Sequence, residues 1–197
     1  MDEKYFEEIR LYLPKYLSPA KIDELYSEIK SFPDIPNHYF EYPEANELLQ
    51  GDGWRGFVSI NFETVEKQEV SGIIISNSCD IDINNPRDNE PNVLFAPISS
   101  LGKYENILAA TKSEEQVSNI IRNIKEQKIT NIFYLPQFNE DIGDCIIVLD
   151  DIKPHPLRNF IDKDKSRLFS LQQTFFYLFL MKLSIHFSRF NEGVERF

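Results

Sequence analysis

A cluster of side chains that can do chemistry follows an apolar run in the first half of the chain. Ser76, Ser78, Cys79 and Asp80 come directly after the β-branched run at residues 73–75. A thiol needs a nearby base or positive charge to become a nucleophile at neutral pH, and a carboxylate can transfer protons. The pattern therefore predicts hydroxyl, thiol and carboxylate groups gathered at the end of one strand.

Cys79 is a candidate hydrolase nucleophile if a histidine lies within hydrogen-bonding distance of its thiol. His155 lies between two prolines and is the first candidate for that base, and His38 and His186 are the other histidines of the chain. His186 falls in an apolar helical segment, which favours a packed side chain. The spacing of these residues selects no pair, so a cysteine hydrolase stays an alternative.

The sequence contains no complete metal-binding or phosphate-binding motif. Asp80 and Asp82 resemble the opening of a calcium loop, but Asn85 stands where that loop needs glycine and Pro91 where it needs glutamate. The sequence also has no zinc-ligand spacing and no glycine-rich phosphate loop. We therefore expect no metal and no cofactor.

The composition favours a cytoplasmic protein with a real core. Hydrophobic residues make up 42% of the 197 residues, and the formal net charge is -11. That charge disfavours binding to nucleic acids and anionic membranes, which depends on Lys and Arg. The acidic start has no signal peptide, two cysteines suggest reduced thiols, and the apolar run 175–181 is too short to span a membrane.

Short β-branched runs and one helical pattern indicate the fold class. Ser113 and Gln116 form a capping box for a helix at 113–128. Only one of the gaps between the five predicted strands contains a helix. We therefore expect an α+β fold with a small, strongly bent sheet or barrel and helices at both termini. The glycine at position 56, within the first strand, suggests a bulge. The predicted strands are 54–61, 73–75, 93–98, 131–135 and 145–149.

Three segments are expected along the chain. Residues 1–50 read as two helices, the second capped by Ser18, followed by an extended aromatic arm. Residues 51–152 form the barrel core with its inserted helix. Residues 153–197 read as a charged, locally basic linker and an amphipathic helix that begins at the capping box of Ser170 and runs to about residue 196. The apolar face of that helix is wide, so it either packs centrally or forms a dimer.

Three segments resemble the core of the PemK/MazF toxin barrels in their order and spacing. They are G-D-G-W-R-G-F-V-S-I at 51–60, V-S-G-I-I-I-S at 70–76 and N-V-L-F-A-P-I-S-S at 92–100. In that family a Gly-Asp opens the first strand, an Arg-Pro leads a β-branched strand that ends in Ser, and a later strand ends in Pro-Ile-Thr. The resemblance covers residues 51–101 and implies an SH3-like barrel, a fold used there by dimeric endoribonucleases that antitoxins hold.

This chain departs from the family at the catalytic position. When Ser76 is aligned with the strand-end Ser of the family, Val70 stands where the catalytic Arg belongs, and Ser99 matches the hydroxyl residue that works beside that Arg. Phosphodiester cleavage develops negative charge that a fixed cation must offset. Arg55 or Arg87 would have to substitute. The S-x-S-C-D-I signature also resembles uncharacterised bacterial proteins, a likeness that implies no activity.

Three functional hypotheses follow. The first is a non-catalytic or degenerate barrel of a bacterial toxin-antitoxin or anti-phage defence setting, which binds a protein partner or forms a homodimer through its C-terminal helix. The second is an endoribonuclease that uses Ser99 with Arg55 or Arg87, assisted by Asp80. The third is a hydrolase that uses Cys79. The sequence leaves open whether the protein is an enzyme.

Overall fold

The computed structural model describes residues 18–32, 35, 37–40, 47–61, 63–85, 87–140, 142–162 and 164–188. The predicted first helix of the preface, and the end of the C-terminal helix beyond residue 188, lie outside these ranges. The described strands are β1 (Tyr39–Phe40), β2 (Gly53–Ile60), β3 (Lys67–Ile74), β4 (Asn92–Ser100), β5 (Ile132–Leu135), β6 (Cys145–Val148), β7 (Lys153–Pro156) and β8 (Ser166–Leu171). The described helices are α1 (Pro19–Lys30), α2 (Leu101–Ala109), α3 (Glu114–Lys125), α4 (Leu157–Ile161) and α5 (Gln173–Ser188).

The strands form one antiparallel sheet that curls into a half-barrel, and the fold is mixed α+β. The strand order is β1-β8-β2-β3-β4-β6-β5, and β7 pairs with β4. Strand β4 has β3 on one side and two partners on the other, since Asn92–Phe95 pairs with β7 while Ile98–Ser100 pairs with β6. The long strand β4 therefore connects the curled part of the sheet to the β5–β6 part.

Gly56 produces the bulge that the sequence predicts. Its φ is +113°, a conformation that suits glycine, and the β2–β3 register shifts between Arg55 and Phe57. A Cβ at this position would lie 3.1 Å from the carbonyl oxygen of Asp164. The bulge thus lets the segment before β8 pass close to β2.

An aromatic stack fills the space between the curled strands and α4. The ring of Phe57 stacks on Phe95 at 4.1 Å and on Phe160 at 4.3 Å between centroids, and all three side chains are fully buried. A second core lies against α5, where Phe175, Phe179 and their neighbours are buried with residues of α1, β5 and β6. Burial of such side chains, at about 1.5–3 kcal/mol each, holds the sheet in its curled shape.

The predicted linker after residue 152 is wrong, because it contains strand β7, helix α4 and the start of strand β8. Lys153–Pro156 pairs with β4, and Ser166–Leu171 pairs with both β2 and β1. The charged residues of this segment alternate with buried ones such as His155 and Phe169, which conceals two strands in a polar sequence. Strands β1, β7 and β8, from segments outside the predicted barrel core, therefore share a sheet with it.

The helices agree with the sequence in part. Helix α1 begins at Pro19 after Ser18, and α3 carries the predicted capping box of Ser113 and Gln116. Helix α2 was not predicted. The predicted cap of α5 at Ser170 is wrong, because Ser170 lies in β8 and the Gln172 side chain accepts from the Thr174 N–H at 2.8 Å instead.

Helix α5 packs centrally, which was one of the two alternatives that its wide apolar face left open. Its residues Phe175, Leu178, Phe179 and Met181 are all buried within the chain. Phe187 is 63% exposed near the end of the described helix. In the described ranges, no helix combines the length and apolarity needed to cross a membrane.

Candidate functional site

A polar loop, residues 76–91, joins β3 to β4. Ser76 Oγ accepts a hydrogen bond from the Leu94 N–H at 2.8 Å, which fixes the start of the loop against β4. Ser78 Oγ accepts one from the Gln50 N–H at 2.9 Å, which attaches the loop to the segment before β2. Both serine hydroxyls of the predicted rim therefore hold the loop in place.

Three of the predicted site residues lie together in this loop. The Asn77 side chain caps a 3-10 turn by accepting from the Cys79 N–H at 3.0 Å. The Arg87 guanidinium donates to the Cys79 carbonyl at 2.8 Å and also to the Asp80 carbonyl, and Asn85 donates to the Cys79 carbonyl at 2.7 Å. Arg87 is thus positioned by backbone oxygens close to Cys79 and Asp80.

Ser99 lies at the opposite end of β4 from this loop. Ser76 is beside Leu94, whereas Ser99 is opposite Ile146 of β6. Leu94 and Ser99 are five residues apart, which corresponds to about 17 Å along an extended strand. The antiparallel pairing of β3 and β4 therefore separates Ser99 from Cys79, Asp80 and Arg87.

Arg55 lies on a third part of the sheet. It is exposed on β2, opposite Ser71 of β3 and Ser166 of β8. Strand β3 lies between Arg55 and the strand that carries Ser99. In the part of the chain that the structure describes, neither the Arg55 nor the Ser99 side chain makes a hydrogen bond or ion pair. The structure does not bring either arginine to Ser99.

His155 is a core residue and not a partner of Cys79. It is 4% exposed, its ring lies edge-on to Phe57 and Phe160 at 6.1 and 5.9 Å, and its Nδ1 is 3.0 Å from the Pro156 carbonyl oxygen. Cys79 is exposed on the loop. No hydrogen bond joins the two side chains among the described residues.

The other two histidines, His186 and His38, also contact neighbouring side chains of the fold. His186 Nε2 lies 3.1 Å from Asp150 Oδ1, and Asn131 donates to Asp150 at 2.7 Å. His38 packs edge-on against Phe175 at 5.1 Å. Asp150, a carboxylate at the strand end after β6, is therefore committed to neighbouring side chains. Within the described ranges, no three His, Cys, Asp or Glu side chains are grouped as a metal site.

The two cysteines differ in chemical accessibility. Burial raises the pKa of the Cys145 thiol to about 11, and the nearby Asp144 carboxylate acts in the same direction. Its thiolate form, the reactive one, is therefore scarce at neutral pH. Cys79 is the thiol that solvent reaches.

Two adjoining grooves flank the loop. The larger, about 700 Å³, is lined by Cys79, Ile81 and Lys165 among others. The smaller, about 500 Å³, lies between the loop and α4, where Leu157 and Arg158 line it. Both grooves are lined by Asp82, Ile83 and Ile161, and Ile83 is 67% exposed.

The rims of these grooves carry both signs of charge. The acidic side chains are Glu47, Asp82, Glu90 and Asp162, and the basic ones are Arg87, Arg158 and Lys165. Sequence reasoning missed Ile83, Arg158 and Ile161 as members of one surface. The visible signal was a large apolar residue, Ile83, inside a polar loop, but its neighbours come from residues 157–165, which the sequence presented as linker.

Two basic residues of the segment that the sequence presents as a charged, locally basic linker, Lys153 and Arg167, hold the fold. Arg167 forms an ion pair with Asp52, with Nε 3.1 Å from Oδ2, and its guanidinium lies 4.9 Å from the centre of the Trp54 ring. Lys153 donates to Ser59 Oγ at 2.8 Å. Burial raises the pKa of Asp52 to about 6, although the Ser170 hydroxyl and Arg167 act in the opposite direction.

Comparison with known proteins supplies no family for this chain. No protein-family model matches it, and no curated protein matches it. The candidate site is therefore described by its own residues and contacts.

Proposed function

We propose that this chain is a non-catalytic or degenerate PemK/MazF-like barrel that acts by binding a protein partner in a bacterial toxin-antitoxin or anti-phage defence setting. The resemblance of residues 51–101 supports the family. The curled strands β8, β2, β3, β4 and β7, which neighbour one another in that order, are compatible with a small SH3-like barrel.

The separation of Ser99 from both candidate arginines is the observation that carries the non-catalytic part of the proposal. Cleavage of a phosphodiester needs a cation fixed beside the reacting group. Arg87 is hydrogen-bonded at the far end of β4, and Arg55 lies beyond β3. An endoribonuclease that uses Ser99 with Arg87 would need a different arrangement of these strands.

The surface proposed for the partner consists of the two grooves around Ile83. The lining combines apolar side chains with side chains of both charges, and such a surface complements a protein segment that also carries both charges and an apolar side chain. A nucleic acid carries a negative charge on every phosphate, which Asp82, Glu90 and the net charge of -11 would repel. The grooves replace α5 as the preferred contact, because the face of α5 from Phe175 to Leu183 is buried within the chain. A homodimer through this helix has no comparable support.

Site-specific photo-cross-linking in the native cells tests this surface. A photoreactive amino acid is placed at Ile83 and, as a matched control, at Ile107 of α2, because the two side chains are 67% and 68% exposed. We expect a discrete protein adduct at Ile83 that is absent at Ile107. Equal labelling at both positions, or adducts only with RNA at Ile83, would contradict the proposed protein-binding groove.

A further inference from the structure

Lys182 is a lysine inside the protein core. It lies in the middle of α5 and is 1% exposed. Its Nζ donates to the Ile129 carbonyl at 2.7 Å, to the Gln127 carbonyl at 3.2 Å and to Gln127 Oε1 at 3.0 Å. The Ile132 carbonyl is a further acceptor. Four neutral oxygens therefore surround one buried nitrogen.

These oxygens come from the turn that joins α3 to β5. Gln127 stands in a left-handed conformation, with φ +57°, just after the helix. Its side chain also bonds to β5, since Nε2 donates to the Tyr134 carbonyl at 2.8 Å and Oε1 accepts from the Tyr134 N–H at 3.1 Å. The carbonyl oxygens at a helix C-terminus carry partial negative charge, which favours a cation there.

In the described residues, the four acceptors of Lys182 Nζ are all neutral oxygens, and none of them belongs to a carboxylate. Burial lowers the pKa of Lys182 to about 7. The four oxygens oppose that effect because an ammonium has three N–H donors, whereas a neutral amine has two. An ammonium at this position is therefore held by neutral oxygens.

We propose that the oxygens of Gln127, Ile129 and Ile132 form a monovalent-cation site that the Lys182 ammonium occupies as a tethered cation. Rings of neutral carbonyls replace the hydration shell of monovalent ions. Divalent ions instead take carboxylates, which this cage lacks. The cage links α5 to the α3–β5 turn through one charge, and this inference does not depend on the proposed partner.

Chemical rescue of Lys182→Ala tests the proposal. The substitution removes three methylene groups and the ammonium, which is the size of n-propylammonium. At pH 6, with ionic strength matched by sodium chloride, we expect propylammonium to raise the folding equilibrium constant about tenfold at ten times its Kd. The neutral analogue 1-propanol is the control. Equal stabilisation by both compounds, or by neither, would overturn the proposal.

The wild-type protein provides a second measurement if the alanine variant does not fold. In protein labelled with ¹⁵N-lysine, NMR at pH 6 is expected to show a protonated Lys182 ammonium whose protons exchange slowly with water, because the group is buried and fully bonded. Exposed Lys103 is the reference for fast exchange. A neutral amine at Lys182, or exchange as fast as that of Lys103, would contradict a cation held in the cage.

Discussion

Replacement of Arg167 by methionine removes one partner of a buried ion pair. Methionine keeps most of the apolar length of the arginine side chain but leaves Asp52 without its cation. The side chains of Arg167 and Asp52 are 12% and 3% exposed, so water cannot replace the lost charge easily. Loss of the contact with Trp54 adds to the effect.

The expected magnitude depends on pH. Removal of one partner from a buried pair costs about 3–5 kcal/mol, and we expect this loss at pH 8, where Asp52 is ionised. The pKa of Asp52 is already raised to about 6 in the intact pair, and without Arg167 it rises further. A raised carboxylate pKa stabilises the folded state at low pH, and this stabilisation is lost as pH increases through the folded-state pKa. At pH 5, Asp52 is mostly protonated both with Arg167 and without it, so the cost of the substitution falls to about 1–2 kcal/mol, mostly from the lost cation–π contact.

Urea unfolding at pH 5 and pH 8 measures both values. Arg55→Met on β2 is the matched control, because Arg55 is exposed and has no side-chain partner among the described residues. The double variant Asp52→Asn/Arg167→Met is expected to recover much of the stability at pH 8. A loss for Arg167→Met that is the same at both pH values, or below about 1 kcal/mol at pH 8, would refute the reasoning for a charged, buried pair.

Two further predictions concern the bulge and the accessible thiol. Gly56→Ala is expected to lower the free energy of unfolding by about 1–3 kcal/mol, because φ is +113° there. The control is Gly143→Ala, where a Cβ meets nothing within 4 Å, and its free energy of unfolding is expected to stay within about 0.5 kcal/mol of the wild-type value. Equal losses for the two variants in urea unfolding would contradict the assigned strain. In native protein, iodoacetamide is expected to modify Cys79 and leave Cys145 unmodified until urea unfolds the chain. Mass spectrometry that finds both thiols alkylated at the same rate would contradict the burial of Cys145.

The strands that could be predicted are those whose own residues specify them. The β-branched runs that became β3, β4 and β6 exclude stable helices of that length, and Gly56 marks a bulge because few other residues adopt its backbone conformation. The capping box of α3 is likewise a local signal, since Ser113 and Gln116 satisfy each other's backbone groups. Each of these features is settled within a few residues of sequence.

Strands β7 and β8 could not be predicted from their local sequence, because they become strands only by pairing with strands distant in the chain. Lys153–Pro156 contains two prolines and pairs with one edge of β4. Ser166–Leu171 lies between β1 and β2 and pairs with both. Their pairing is non-local, so tertiary contacts override a local pattern that is typical of a linker. The charged residues there are neutralised by contacts such as Arg167 with Asp52, which no spacing in the sequence reveals.

The candidate site was predicted as a collection of residue types, and its geometry depends on strand direction. The sequence could place Cys79 and Asp80 at a strand end, and the structure adds Arg87 to them through backbone carbonyls. Whether Ser99 joins that group depends on whether β3 and β4 run parallel or antiparallel. A loop of this length permits either arrangement, and the antiparallel pairing separates the residues.

The central claim, that the barrel lacks ribonuclease activity, is tested most directly by incubating the purified protein with a long, mostly single-stranded RNA, with and without EDTA. Ser99→Ala, Arg55→Ala and Arg87→Ala are treated in parallel. We expect intact RNA in every reaction, because among the described residues no arginine side chain is held next to Ser99 by a hydrogen bond or an ion pair. Discrete cleavage that is lost in Ser99→Ala and in one of the arginine variants would contradict the account and assign the chain an endoribonuclease activity.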